Sequence, residues 1–122
     1  PHTWVGSDFI RSVRTMFVYE EEEERTLVIG AGLARQWLQE ESGVAVAALP
    51  TYYGRLTFSA RRLGKRVRFE LDVEEPSFAQ IVVKLPEGKP IRRVKVNGHP
   101  YRDFGPQEVR LRTVPAVVEV QY

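Results

Sequence analysis

The chain has 122 residues, of which 43% are apolar, enough for one domain built around one core. It contains no cysteine, which excludes disulfides, thiolate metal ligands and cysteine nucleophiles. Both charge signs are interspersed to a net of +2, a balance that exerts no strong pull on nucleic acid, and no apolar run approaches the ~20 residues a membrane span needs.

The chain opens on proline rather than methionine, so a piece of a longer protein is expected. The lack of cysteine fits a reducing compartment, and a cytoplasmic location is the expectation. Ser7 or Asp8 is placed to cap an amphipathic helix whose apolar stripe is Phe9, Ile10, Val13, Met16 and Phe17. Arg11, Arg14 and Thr15 fall on its other face. The helix should stop before Glu20 to Glu24, because successive carboxylates repel one another and oppose the negative end of the helix dipole. That run reads as a solvated turn rather than an acidic binding tail. Residues 1–22 are expected to hold this helix and the acidic turn, the apolar stripe lying against the sheets or against a missing partner, and 23–122 to form a β-sandwich domain.

Beyond Arg25, strand signals dominate. Thr26 to Ile29 is a β-branched run stopped by Gly30-Ala31-Gly32, which lacks the third glycine of a phosphate-binding loop. Leu33 to Gln39 reads as one or two helical turns carrying Trp37 and Leu38. Val44 to Leu49 is an apolar strand closed by Pro50. Tyr53 to Ala60 runs into the Leu63-Gly64 turn and returns as Lys65 to Glu74, the strongest hairpin signal in the chain. Within it Val67, Phe69, Leu71 and Val73 alternate strictly with Arg66, Arg68, Glu70 and Asp72, the period-two mark of a half-buried strand.

Four further strands are expected at Phe78 to Leu85, Ile91 to Val96, Glu108 to Arg112 and Ala116 to Gln121, separated by Pro86-Glu87-Gly88 and Asn97-Gly98. Strands at this spacing with turn chemistry between them predict an all-β fold, an antiparallel jelly-roll-like β-sandwich preceded by one helix. Its inward residues should be Leu56, Phe58, Val67, Phe69, Leu71, Ile81, Val83, Val94, Val96, Val109, Leu111, Val118 and Val120.

Reactive groupings are sparse. His2 and His99 have no second histidine or carboxylate at metal-ligand spacing, so no metal and no cofactor is expected. Ser7, His99 and Asp103 have the residue types of a catalytic triad without any pattern that would assemble them. Asp72, Glu74, Glu75, Glu108 and Glu119 have the chemistry of glycoside-cleaving acids, but alternation puts them on solvated faces. Arg55, Arg61, Arg62, Arg66 and Arg68 make a basic patch that Glu70 and Asp72 should pair with. The aromatic residues Tyr52, Tyr53, Trp37 and Tyr101 are the candidates for stacking on sugar rings; the plainer role is to seal the sandwich ends.

The run from Gly43 to Ala60, with Pro50, Tyr52, Tyr53 and Gly54 at its centre, is followed by the Gly64 turn and the Val67 to Val73 strand. This stretch resembles the carboxy-terminal β-sandwich of glycoside hydrolases with an (α/α)6 barrel, the α-L-rhamnosidase-like enzymes among them. The opening Pro1 to Ser7 and its helix are similar to the last barrel helix entering that domain. The resemblance implies a non-catalytic accessory domain, with no catalytic residue to carry over. Its partner would be the upstream catalytic domain of the same chain, and Trp4, Phe9, Val13, Met16 and Phe17 would make that contact. A carbohydrate is the second partner considered; nucleic acid and membrane are not expected.

Overall fold

The computed structural model describes residues 18–30, 43–85 and 89–122. Ten strands fill those residues, in two sheets. In chain order they are β1 (Val18–Glu21), β2 (Thr26–Ile29), β3 (Val44–Thr51), β4 (Gly54–Leu63), β5 (Arg66–Glu74), β6 (Gln80–Lys84), β7 (Arg93–Val96), β8 (His99–Tyr101), β9 (Glu108–Leu111) and β10 (Ala116–Gln121). One sheet has the order β1-β2-β6-β9 and the other β3-β4-β5-β10-β7-β8.

Alternation accounts for the core. Every expected inward residue is buried except Val96, which is half-buried. Inward side chains of the first sheet (Leu27, Ile29, Ile81, Val83, Val109, Leu111) and of the second (Leu56, Phe58, Val67, Phe69, Val118, Val120) belong to one cluster. Phe58 and Phe69 lie within it as a tilted pair, ring centroids 6.1 Å apart. Burying a large aliphatic or aromatic side chain stabilises by about 1.5–3 kcal/mol, so these residues dominate the folding energy. The described residues are thus all-β, two sheets sharing one core in a sandwich-like arrangement.

Several expectations change. The first sheet is mixed rather than antiparallel, because β2 pairs with β6 in parallel, Leu27 opposite Ile81 and Val28 opposite Val82. Parallel neighbours need a long crossover. Here β3, β4 and β5, which belong to the other sheet, lie between them in sequence. The mixed pairing is buried as such pairings usually are, and β2 and the centre of β6 carry no alternation.

The acidic run also behaves differently. Glu20 and Glu21 lie in β1, and only Glu22 to Arg25 form the turn into β2. The Glu21 carboxylate accepts from the backbone amides of Glu23 at 3.0 Å and Glu24 at 2.8 Å, so the carboxylate itself builds the turn. Val18 is wholly buried in the shared core. The boundary expected between residues 22 and 23 therefore falls inside a hairpin, and β1 belongs to the β domain. The expected helix over 7–17, its contact residues Trp4, Phe9, Val13, Met16 and Phe17, the helical turns at 33–39 with Trp37, and Pro86 to Gly88 lie outside the described residues.

The Asn97-Gly98 turn was expected, but a short strand follows it. His99 to Tyr101 pair with Val94 to Val96 as β8, placing the exposed His99 in a strand at the sheet edge. Asn97 holds this corner: its Oδ1 accepts from the Val117 amide at 2.8 Å, at a φ of 52°.

Candidate functional site

The Pro50 to Gly54 passage is a two-residue turn between β3 and β4. Thr51 and Gly54 face each other in register, and Tyr52 and Tyr53 connect them. The Thr51 hydroxyl donates to the Gly54 carbonyl and accepts from the Tyr53 amide at 3.1 Å, closing the turn from within. Gly54 has a φ of 125°, and a Cβ there would lie 2.4 Å from the Glu74 carbonyl oxygen. Only glycine lets β5 come this close.

That turn sends the two tyrosines opposite ways. Tyr53 is 9% exposed, its phenol donates to the Glu21 carbonyl, and its own carbonyl accepts from the Ser77 amide at 3.0 Å. Tyr52 is 73% exposed. Beside it the end of β5 brings Glu74 into register with Arg55, and Glu75 follows at a φ of 52°. Tyr52, Arg55, Glu74, Glu75, Thr51 and Ser77 line an open groove of about 550 Å³.

The chemistry of that set is specific. A flat ring offers its face to the C–H surface of a sugar or to an apolar side chain. Carboxylates accept hydroxyl hydrogens, and a guanidinium donates to ring and hydroxyl oxygens. A polyhydroxylated ligand uses all three.

The other expected stacking residues do not join this groove. Tyr53 is an inward anchor, so its ring face is not offered to a ligand. Tyr101 sits on β8, at the opposite edge of the six-stranded sheet from β3. Five strand spacings of about 4.8 Å separate those edges, roughly 24 Å. Its ring is half-buried and its phenol donates to the Arg110 carbonyl. Trp37 lies outside the described residues.

Tyr101 instead belongs to a clamp over the β8–β9 loop that alternation gave no sign of. The Arg110 guanidinium binds Asp103 at 2.8 Å and Glu108 at 3.1 Å. Asp103 and Glu108 hold the Arg110 pKa above the ordinary guanidinium range, burial opposing them. Burial, then the Asp103 carboxylate, pushes the Tyr101 phenol up. Asp103 is thus engaged with Arg110, while His99 is exposed at the sheet edge. Among the described residues, no three histidine, aspartate or glutamate side chains are grouped to hold a metal ion.

Comparison with protein-family models, curated proteins and solved structures found no match. What bears on function is therefore the surface. Two regions stand out from ordinary solvated faces: the Tyr52 groove, and the outward side of the six-stranded sheet at the Leu63 end. There Arg61 faces Arg68, and Arg68 is bound at 2.9 Å by Glu70 two residues along its own strand. Ion pairing was expected across the strands; it runs along β5 instead.

Proposed function

We propose that this chain is a non-catalytic accessory β-sandwich, jelly-roll-like, of a bigger glycoside hydrolase-like protein. Its work is contact rather than bond cleavage, chiefly with the catalytic domain upstream. The observation that supports it best is Tyr52, a large ring held 73% exposed at the tip of a hairpin whose other tyrosine is anchored in the core. An outward aromatic is a surface suited to being covered. The test is Tyr52→Ala in the full-length protein. Loss of the contact should lower the melting temperature of the upstream domain and open the junction to protease, while the fold of this domain is unchanged. Turnover of any glycoside by this chain alone would sink the reading.

A second reading has its own support. Arg55, Glu74 and Glu75 beside Tyr52 supply polar partners that an apolar interdomain contact does not require. On this reading the groove is a carbohydrate-binding site. A panel of neutral polysaccharides titrated against the chain, followed by NMR shifts of the Tyr52 ring, separates the two. Saturable shifts abolished by Glu74→Gln favour the sugar; none across the panel favours the domain contact.

A further inference from the structure

We infer that the outward face of the six-stranded sheet, at its Leu63 end, binds an acidic polysaccharide. The register of four neighbouring strands builds this face. In one row, Arg61 of β4 lies opposite Arg68 of β5, which lies opposite Glu119 of β10, which lies opposite Lys95 of β7. In the next row, Leu63 lies opposite Arg66, Arg66 opposite Gln121, and Gln121 opposite Arg93. Directly opposed residues share a face, so Arg61, Arg66, Arg68, Arg93 and Lys95 all project to one side. With strands about 4.8 Å apart and rows about 6.8 Å apart, the patch measures roughly 14 by 7 Å.

Its charge is not internally balanced. Arg68 is held by Glu70, but Arg61, Arg66, Arg93 and Lys95 make no ion pair among the described residues. Arg61 and Arg68 stand directly opposite each other, an arrangement that destabilises a sheet. Two shallow clefts mark the surface, one of about 330 Å³ between Arg61 and Glu70, the other of about 190 Å³ between Arg66 and Glu119. Among the described residues, Glu21 and the glutamate turn, with Glu74 and Glu75, lie towards the other end, where the Tyr53 phenol ties Glu21 to the turn that precedes β4. Ten residues of β4 separate the two ends, about 30 Å. Five cations thus share this face with two carboxylates, Glu70 and Glu119.

Glu119 and Gln121 decide which polyanion fits. They sit among the cations and offer oxygens that accept hydrogen bonds. Phosphodiester oxygens are acceptors only, so a DNA backbone offers Glu119 no hydrogen-bond donor. A uronate or sulfated glycan carries both parts: anionic groups for the arginines, bidentate in geometry, and hydroxyl donors for Glu119 and Gln121. The extended open rows suit a polymer rather than a single small anion. This site is separate from the Tyr52 groove and does not rest on it.

The experiment is calorimetric titration of the full chain with polygalacturonate and with heparin, beside neutral dextran and a short DNA duplex. Saturable binding to an acidic polysaccharide is expected, weakening steeply between about 50 and about 200 mM salt. Each lost charge-assisted contact should cost about tenfold in affinity, so the Arg66→Thr/Arg93→Thr double variant should bind about a hundredfold more weakly. Lys95→Thr, a second variant, should weaken it about tenfold. Tyr52→Ala should change nothing, which keeps this site distinct from the groove. Binding of polygalacturonate shows that carboxylates suffice, and binding of heparin alone shows that sulfate is required. DNA binding as tight as either glycan would overturn the assignment, as would no binding, or binding that both variants retain with an unchanged melting temperature.

Discussion

The phenol of Tyr53 donates to the carbonyl of Glu21 at 3.3 Å and so fastens the β3–β4 turn to β1, a strand of the other sheet. It links residues 32 apart in sequence and fixes which of two adjacent tyrosines faces water.

Tyr53→Phe should therefore cost only the hydrogen bond, about 0.5–1.5 kcal/mol. Tyr53→Ala also empties the core beneath the turn and should cost about 3–5 kcal/mol. Tyr52→Ala, at an exposed position, should stay within about 0.5 kcal/mol. Urea denaturation of the three variants measures the order. Equal losses at Tyr52 and Tyr53 would mean that the Tyr53 ring is not held inside.

Two turn glycines should respond unequally to alanine. Both have positive φ, 125° at Gly54 and 65° at Gly64, and a left-handed alanine costs about 1–2 kcal/mol. A Cβ at Gly64 meets nothing within 4 Å, whereas at Gly54 it meets the Glu74 carbonyl oxygen at 2.4 Å and Val73 Cγ1 at 2.5 Å. Gly64→Ala should cost the conformational term alone. Gly54→Ala must also push β5 away, so it should lose more and shift the amide resonances of Val73 and Glu74. Matching melting temperatures for the two variants would remove the close approach from the account.

Stability should fall with alkali through Tyr101. Burial, with Asp103 adding to it, raises this phenol above its ordinary value near 10 in the folded protein. The folded state then holds a proton that the unfolded chain has released. The contribution is complete below pH ~10 and is lost as pH rises through the folded value. Tyr101→Phe should be less stable at neutral pH for want of the bond to the Arg110 carbonyl, yet lose less between pH ~9 and ~11. Chemical denaturation of both proteins at the two pH values reads that difference in slope. Parallel curves would show that Tyr101 does not titrate late.

The core was legible because alternation is enforced by one-sided burial. Phe58, Phe69, Val118 and their neighbours could be placed inward from the period of two alone, and only Val96 is less buried than expected. The β4–β5 hairpin was legible from the Leu63-Gly64 turn, but pairing partners distant in sequence were not. Nothing local tells β2 that its neighbour is β6, parallel and more than fifty residues on, because β2 is buried on both faces and carries no alternation. The glutamate run is a solvated turn at Glu22 to Glu24 as expected, but Glu20 and Glu21 extend β1. Repulsion argues against a helix there, but the carboxylate of Glu21 gains two amide donors by folding the turn on itself. At the groove, Pro50-Thr51-Tyr52-Tyr53-Gly54 announced a turn, while which tyrosine faces water depended on Glu21 and Ser77, both distant in sequence. The basic patch was visible as a composition of arginines in one hairpin. Its continuation onto Arg93 and Lys95 required the order β5-β10-β7, which sequence does not show.

That order exposes a conflict between folding and binding on the same face. Arg61 and Arg68 are direct cross-strand partners, and opposed like charges destabilise a sheet by about 0.2–1 kcal/mol. Arg61→Thr removes the repulsion, introduces a good strand former and places no carboxylate beside Glu70. The free protein should gain up to about 1 kcal/mol at low ionic strength, and the gain should shrink as salt screens the pair. The same variant should bind acidic polysaccharide more weakly. Thermal melts at low and high salt, set beside titration of the same samples, test both halves together. A gain in stability without loss of binding would leave Arg61 outside the site, and a loss of stability would show that the two guanidinium groups do not oppose each other in solution.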